Sequence, residues 1–351
     1  MRVPRIAILL IFMIFLASCP SGRKSDGDAV QKVEPIQATL VLPETAELKP
    51  GESLPIQHAA SELSAAFAEL VASGAFAGKT VQHASLADSG SVVEIKGHAI
   101  VAPGFGEEEI SAFVKSFPEG KRVFVFSDSE WPDGSGVIPV SFDYVEAGFL
   151  AGALVAGMSK TGTIGLMMDR NEYRGRALAS GVEQGSKWVR GGARAVDAAP
   201  ASREPVAIAN SAIQFFLGGG EFLVFDATVF GDYPVAAITG KAGLAVAIGR
   251  DENAAGAGAC ITSYVWDYRA ALAEIGRIVD SGESPPEGVV LGLKAGVLKN
   301  TGFDEYKRYR RVDEELMGEL EDIESQLMSG EIPLDRPARP TVVSAAVSEN
   351  G

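Results

Sequence analysis

Two groups of residues in this chain have the types and spacing to do chemistry. The first centres on Cys19, preceded by Leu16, Ala17 and Ser18. A branched apolar residue, two small ones and a cysteine, set directly after an apolar run, form the pattern that a lipoprotein signal peptidase cuts. Arg2 and Arg5 followed by the uncharged apolar stretch 6–16 match the charged and hydrophobic regions of a secretory signal, and that stretch is too short to span a bilayer comfortably. Cleavage would leave Cys19 first. A thioether-linked diacylglycerol with an amide-linked acyl chain would exceed the two hydrophobic signals that stable anchoring needs. The second group consists of polar and aromatic residues at or near the ends of apolar runs: Asp128, Asp226, Asp251, Trp131, Phe230, Trp266 and Lys294. Carboxylates can accept charge-assisted hydrogen bonds from hydroxyls. Aromatic rings can stack on a planar ligand, worth about 0.5–1.5 kcal/mol beyond burial. Each residue also has a plainer reading as a turn or helix cap, a packing ring or an exposed lysine.

Other chemistries find little support. The net charge is −15, and removing residues 1–18 makes it −17, so nucleic acid is not an expected partner. Cys19 and Cys260 are the two cysteines, which rules out a disulfide framework or a thiolate zinc site within the chain. His58, His83 and His98 lack ligand spacing, and Cys260 reads as a small core hydrophobe. No Ser-His-Asp set, phosphate-cradling loop or carboxylate pair with a reaction geometry is present. No metal or cofactor is expected, and a hydrolase acting on nucleosides or glycans has only scattered carboxylates in its favour.

The elements that must position these residues follow from periodicity. After a polar tether at 19–36, the apolar run 38–42 reads as a first strand, and Leu63, Ala66, Phe67 and Leu70 show helical spacing over 62–73. Strand and helix then alternate: 99–103, 107–117, 122–127, a helix loaded with small residues at 143–158, 163–168, 173–189, 193–197, 205–217 and 221–225. A short helix at 235–242, strands at 244–249 and 259–263, a helix at 265–281 and a strand at 289–293 complete the core. Such alternation argues for parallel sheets with helices on their faces. About 330 residues exceed what one core holds, so two lobes are expected. Residues 313–329 place Leu316, Leu320, Ile323 and Leu327 on one face of an acidic amphipathic helix, and 332–351 reads as a loose tail.

Five words in this order add a resemblance: Gly148-Phe-Leu-Ala-Gly-Ala-Leu, Lys160-Thr-Gly-Thr-Ile-Gly, Ala247-Ile-Gly-Arg-Asp251, Ile261-Thr-Ser263 and Gly292-Leu-Lys-Ala-Gly-Val297. Their order and spacing resemble the basic membrane protein lipoproteins, the purine nucleoside receptor A type of substrate-binding protein for ABC importers, over roughly 122–304. The resemblance implies a type I periplasmic-binding-protein fold of the α/β class: two Rossmann-like lobes joined by three crossovers, with a nucleoside held between them. The crossovers would fall near 139–142, 262–264 and 285–289. One lobe would comprise 37–140 plus 264–286 and the other 141–263 plus 287–310, followed by a C-terminal helix at 311–331. Asp251 matches the family's ribose-binding aspartate, and Asp128 or Ser127 its other acid. The chain departs from the family in three places. Residues 43–50 lack the Ser-Phe-Asn word, 225–231 lacks a glycine-rich turn, and Trp266 stands where a lysine is common.

The expected function is therefore a lipid-anchored binding protein of the bacterial cell envelope. It would capture a small polar solute, by default a purine nucleoside, and hand it to an ABC permease. The alternative is an envelope lipoprotein that keeps the fold but has lost solute capture and serves an interaction or structural role.

Overall fold

The computed structural model describes residues 34–43, 53–83, 86, 97–241, 243–256, 258–283 and 287–342. The signal segment, Cys19, nearly all of the tether, residues 44–50 and the tail beyond 342 lie outside the described residues.

Apolar runs of four to eight residues, rich in Val, Ile and Phe, form two six-stranded sheets. The first contains β1 (Ile36–Pro43), β2 (Phe76–His83), β3 (His98–Val101), β4 (Val123–Phe126), β5 (Val137–Phe142) and β11 (Val289–Leu291), in the order β11-β5-β4-β3-β1-β2, all parallel. The second contains β6 (Thr163–Met167), β7 (Arg194–Asp197), β8 (Phe222–Asp226), β9 (Leu244–Gly249), β10 (Cys260–Trp266) and β12 (Leu298–Asn300), in the order β12-β10-β9-β8-β6-β7. Only the β10–β12 pair is antiparallel among these. The two sheets share one strand order, and β1 and β6 each lie between the next two strands of their own sheet. This is the topological switch at which open α/β sheets bind ligands.

The helices are α1 (Ser53–Ala72), α2 (Glu107–Lys115), α3 (Tyr144–Met158), α4 (Tyr173–Val189), α5 (Pro205–Leu217), α6 (Ala227–Phe230), α7 (Tyr233–Ile238), α8 (Tyr268–Asp280), α9 (Asp304–Lys307) and α10 (Glu314–Ser329). The small residues of α3 let it lie almost backbone to backbone on α4. A Cβ on Gly148 or Gly152 would sit 2.3 Å from the carbonyl oxygens of Leu178 and Val182, and one on Gly185 would sit 1.9 Å from that of Phe149. Leu316, Leu320, Ile323 and Leu327 are the buried residues of α10. Leu316 fills the space beside Gly157 of α3, where a Cβ would lie 2.4 Å from Leu316 Cδ1.

The chain passes between the sheets three times, later each time than the sequence suggests. The first passage is at Asp143, between β5 and α3; the second is at Asp267, between β10 and α8; the third lies between Leu291 and Leu298. β5 extends through the stretch expected to be the first crossover because its run is fully buried between β4 and β11, and Pro139 hides it from propensity reading. β10 continues through Trp266 because β12 pairs with Tyr264, Val265 and Trp266. The passages are joined to one another. The Asp143 amide donates to the Leu291 carbonyl at 2.8 Å, and the Asp267 amide donates to that of Val297 at 2.7 Å. Each aspartate also caps the helix it starts, Asp143 accepting from the Glu146 amide and Asp267 from that of Ala270.

The stretch 332–342, read as loose, is instead an extended strap. Ile332 is 3% exposed and joins the main core, while Val342 is 5% exposed and joins the core under the first sheet. In between, the Asp335 amide donates to Gln184 Oε1 at 2.8 Å and Gln184 Nε2 donates to the Asp335 carbonyl at 2.8 Å. Arg336 Nη2 lies 2.6 Å from Asp143 Oδ2, and Arg339 lies 5.7 Å over the Tyr173 ring. The Glu130 amide donates to the Pro340 carbonyl and the Val342 amide to that of Glu130, both at 2.8 Å. Prolines and a lack of periodicity suit an extended segment that gains its order from other elements rather than from its own repeat. The strap ties α4 in one lobe to the β4–β5 connection in the other. A chain ending at Gly330 loses two buried aliphatic anchors, each worth about 1.5–3 kcal/mol before the entropy of ordering the strap is subtracted. The expected net loss is about 2–3 kcal/mol, together with a larger radius of gyration. Urea midpoints and small-angle X-ray scattering read both, and an unchanged midpoint and radius would show the strap to be idle.

Candidate functional site

The carboxyl ends of strands from both sheets face one cleft of about 1000 Å³, at the upper end of the range for small-molecule sites. From the first lobe come Ser127, Asp128, Ser129 and Trp131 after β4, Ser141 on β5, and the turn after β3 that carries Phe105. From the second come Glu172 and Arg174 at the start of α4, Arg203 and Glu204 before α5, Thr228 in α6 and Tyr233 in α7. Phe142, Tyr144, Trp266 and Tyr268, which flank the crossovers, form its floor.

This floor has an internal symmetry. Phe142-Asp143-Tyr144 and Trp266-Asp267-Tyr268 occupy equivalent places at the first and second passages. The Phe142 and Trp266 rings stack at 4.8 Å and 11°, Tyr144 meets Trp266 edge-on at 5.6 Å, and Tyr268 meets Phe142 edge-on at 5.4 Å. These offset and T-shaped arrangements suit the aromatic quadrupole. Trp266 therefore lines the cleft, while one face of its ring packs against Phe142 rather than against a ligand.

Above the floor sits a charge cluster built on buried Asp226. Arg174 Nε lies 2.9 Å from Asp226 Oδ2, at an angle that makes an ion pair but not a hydrogen bond. Asp226 Oδ1 accepts from the Thr228 amide at 3.0 Å and from its hydroxyl at 2.5 Å, so capping of α6 fixes the carboxylate that holds the guanidinium. Arg174 also reaches Glu172 at 3.8 Å, and Arg203 bridges Asp169 and Glu172 at 2.6 Å each. Burial raises the Asp128 carboxyl above its usual range, opposed by Arg174, by a hydrogen bond with the Tyr144 hydroxyl and by Arg339 of the strap. Burial also holds the Tyr144 phenol well above its ordinary value, helped by the Asp128 charge. Arg174 stays firmly charged, because Asp226, Tyr144 and Asp128 together outweigh its desolvation. Besides Arg174 Nε, two buried polar atoms on cleft-lining residues, Trp131 Nε1 and Ser141 Oγ, have no hydrogen-bond partner among the described residues, which is uncommon for buried polar groups.

The structure brings together Asp128, Trp131 and Trp266 as lining residues and places Asp226 directly behind Arg174. It separates the other three candidates from the site. Phe230 is 2% exposed and packs in the core of the second lobe, because α6 turns it inward. Asp251 is exposed; its carboxylate closes a turn by accepting from the Asn253 amide at 3.0 Å. Lys294 is exposed in the third passage, outside the lining. The resemblance-based role for Asp251 therefore does not fit the position of its side chain. Cys260 is buried and its thiol is pushed up to about 12, chiefly by desolvation, which makes it an inert core residue.

Arg174, Tyr144, Tyr268 and the Phe142–Trp266 stack carry no established motif that singles them out in the sequence as candidates. The duplicated aromatic-Asp-Tyr word was the available signal for the floor. Arg174 sits among Arg170, Arg176 and three other polar residues, and nothing local distinguishes it from a solvated helix start.

At the hinge, Glu146 Oε2 accepts from the Leu293 amide at 2.8 Å, linking the first and third passages. Burial first and the Asp143 carboxylate second push its carboxyl up to about 7, against the Leu293 amide and Arg336. A folded-state value above the unfolded one of 4.5 means that the native state holds the proton more tightly. The associated stability is complete below about pH 4.5 and is lost as pH rises through about 7. Glu146→Gln keeps an acceptor for Leu293 and removes the charge. The variant is expected to be about 1–3 kcal/mol more stable than the parent at pH 8 and equal to it near pH 4. Urea midpoints across that range measure the difference, and parallel pH profiles for the two proteins would refute the assignment.

No family model matches the sequence, and no curated protein matches it. Solved structures do match. A solute-binding protein of an ABC transporter system from Aeropyrum pernix K1 is 15% identical, with a TM-score of 0.61, covering 86% of this chain and 94% of its own. A transcriptional activator of the comK gene from Bacillus halodurans is 15% identical, with a TM-score of 0.63, covering 85% and 99%. A periplasmic ribose ABC transporter protein from Conexibacter woesei DSM 14684 is 15% identical, with a TM-score of 0.54, covering 78% and 94%. The chain has the type I periplasmic-binding-protein fold, as the five sequence words implied.

Proposed function

We propose that this chain is the solute-binding component of an ABC importer. In this reading it is held to a membrane of the bacterial envelope by acylated Cys19 and captures a small polar solute between its lobes for a partner permease. The observation that carries this reading is the convergence of half-buried, charged Arg174 with Asp128, Tyr144, Trp131 and Ser141 as lining of one open cleft at strand carboxyl ends. Hydroxyls and ring heteroatoms are the groups that such donors and acceptors recognise. A nucleoside or a related sugar therefore remains the expected class, and membership of the basic membrane protein lipoproteins belongs to the same proposal. Binding rather than turnover is proposed because, among the described residues, no acid–base pair faces a nucleophile across the cleft.

A panel of ribonucleosides, pentoses and hexoses tests this by thermal unfolding of the full chain. A ligand at a hundredfold excess over its Kd adds about 2.7 kcal/mol, and silence across the panel at millimolar ligand would remove the reading. The second reading, an envelope lipoprotein without solute capture, is favoured by one observation: the 332–342 strap pins both lobes and restrains the opening that capture and release require.

A further inference from the structure

A second cavity of about 770 Å³ opens at the other end of the second sheet, where β8 and β9 begin at Phe222 and Leu244. Its remaining apolar lining comes mainly from α5, through Ile213, Phe216 and Leu217. That helix carries no charged residue over its 13 positions, and Leu217 is 75% exposed at the cavity edge. Asn210 and Gln214 are exposed polar residues of this helix, while exposed Leu217 with Ile213 and Phe216 beside the cavity suits an apolar guest.

The charges around the cavity select the guest further. Lys160, Lys241 and Arg310 line it, and none of the three has an ion-pair partner among the described residues. Glu221 is the sole acid of the lining, and its Oε2 is already occupied, accepting from the Ser159 hydroxyl and the Lys160 and Thr161 amides. In a chain of net charge −15, three lining cations against the single Glu221 carboxylate make the local field positive. Inorganic anions would leave the floor uncovered, and neutral apolar compounds would leave the cations unused. We propose that this cavity binds an amphipathic anion with a carboxylate head, a single-chain fatty acid, at a site separate from the interlobe cleft.

The test uses the full chain and 11-(dansylamino)undecanoate as a fluorescent probe. Saturable enhancement is expected. Laurate should displace the probe, and dodecanol and dodecyltrimethylammonium should each compete at least tenfold less well. Lys241→Glu combined with Arg310→Glu, both at exposed positions, should raise the probe Kd at least tenfold with an unchanged circular dichroism spectrum. Asp128→Asn, in the cleft, should leave the probe Kd as it is. Absence of saturable binding, equal affinity in the charge-reversed variant, or loss of probe binding in the Asp128 variant would each overturn the proposal. So would binding to phosphatidylglycerol vesicles without probe binding, or self-association masking the face in sedimentation equilibrium. A failed nucleoside and sugar panel bears on the cleft alone and leaves this test intact.

Discussion

Arg174→Met should lower the stability of the folded chain by about 3–5 kcal/mol, because removing one partner of a buried ion pair leaves the other charge uncompensated. The stranded group is Asp226, 1% exposed and held in place by the Thr228 cap, with half-buried Asp128 and its partner Tyr144 nearby losing their neighbouring cation. Pairing the change with Asp226→Asn should recover part of the loss. The amide retains the oxygen that caps α6 and no longer carries a charge. Urea unfolding of the single and double variants measures both terms. A loss below about 1 kcal/mol for the single variant would mean that the cluster behaves like a solvated surface pair. Both variants should also fail to bind any ligand of the cleft, since the Arg174 guanidinium is a firmly charged donor of its lining.

The second large effect is expected at Trp266. Truncation to Ala empties the space between Phe142 and Tyr144, where the first and second passages meet. Replacing a buried Trp by Ala typically costs about 3–5 kcal/mol. Local consequences should accompany the global one: amide exchange at β10 and at the start of α8 should accelerate more than exchange in β6 or β9. As controls, Asp251→Asn and Lys294→Ala touch exposed side chains and should stay within about 0.5 kcal/mol of the parent, with ligand affinity unchanged. A loss of ligand binding on changing Asp251 would restore the family-derived role that its position here argues against.

The alternation of elements was legible because most strands are buried on both faces and read as continuous apolar runs, as in 163–168, 221–225 and 244–249. Three strands were passed over for physical reasons. β2 carries Lys79 and Thr80 at the edge of its sheet, β5 contains Pro139, and β12 is three residues long and ordered by its antiparallel partner. α1 begins earlier than its spacing suggests, because Pro55 reads as a break although Ala59, Ala60 and Leu63 continue the buried face. Of the candidate site, the sequence points to positions at strand ends, Asp128 just after β4 and Asp226 at the end of β8. Arg174 was missed because its importance comes from Asp226, which is 52 positions away in the chain. The strap was misread for the same reason: Arg336, Arg339 and Val342 gain meaning only from Asp143, Tyr173 and the core beneath the first sheet.

Solute capture requires a guest that occupies the space between the lobes and is held by the Arg174–Asp128 cluster. Isothermal titration of the most stabilising nucleoside or sugar into the parent chain and the Asp128→Asn variant, side by side, tests that most directly. One-to-one binding by the parent and at least tenfold weaker binding by the variant is the expected result. Equal heats in both proteins, or none in the parent at millimolar ligand, would contradict it.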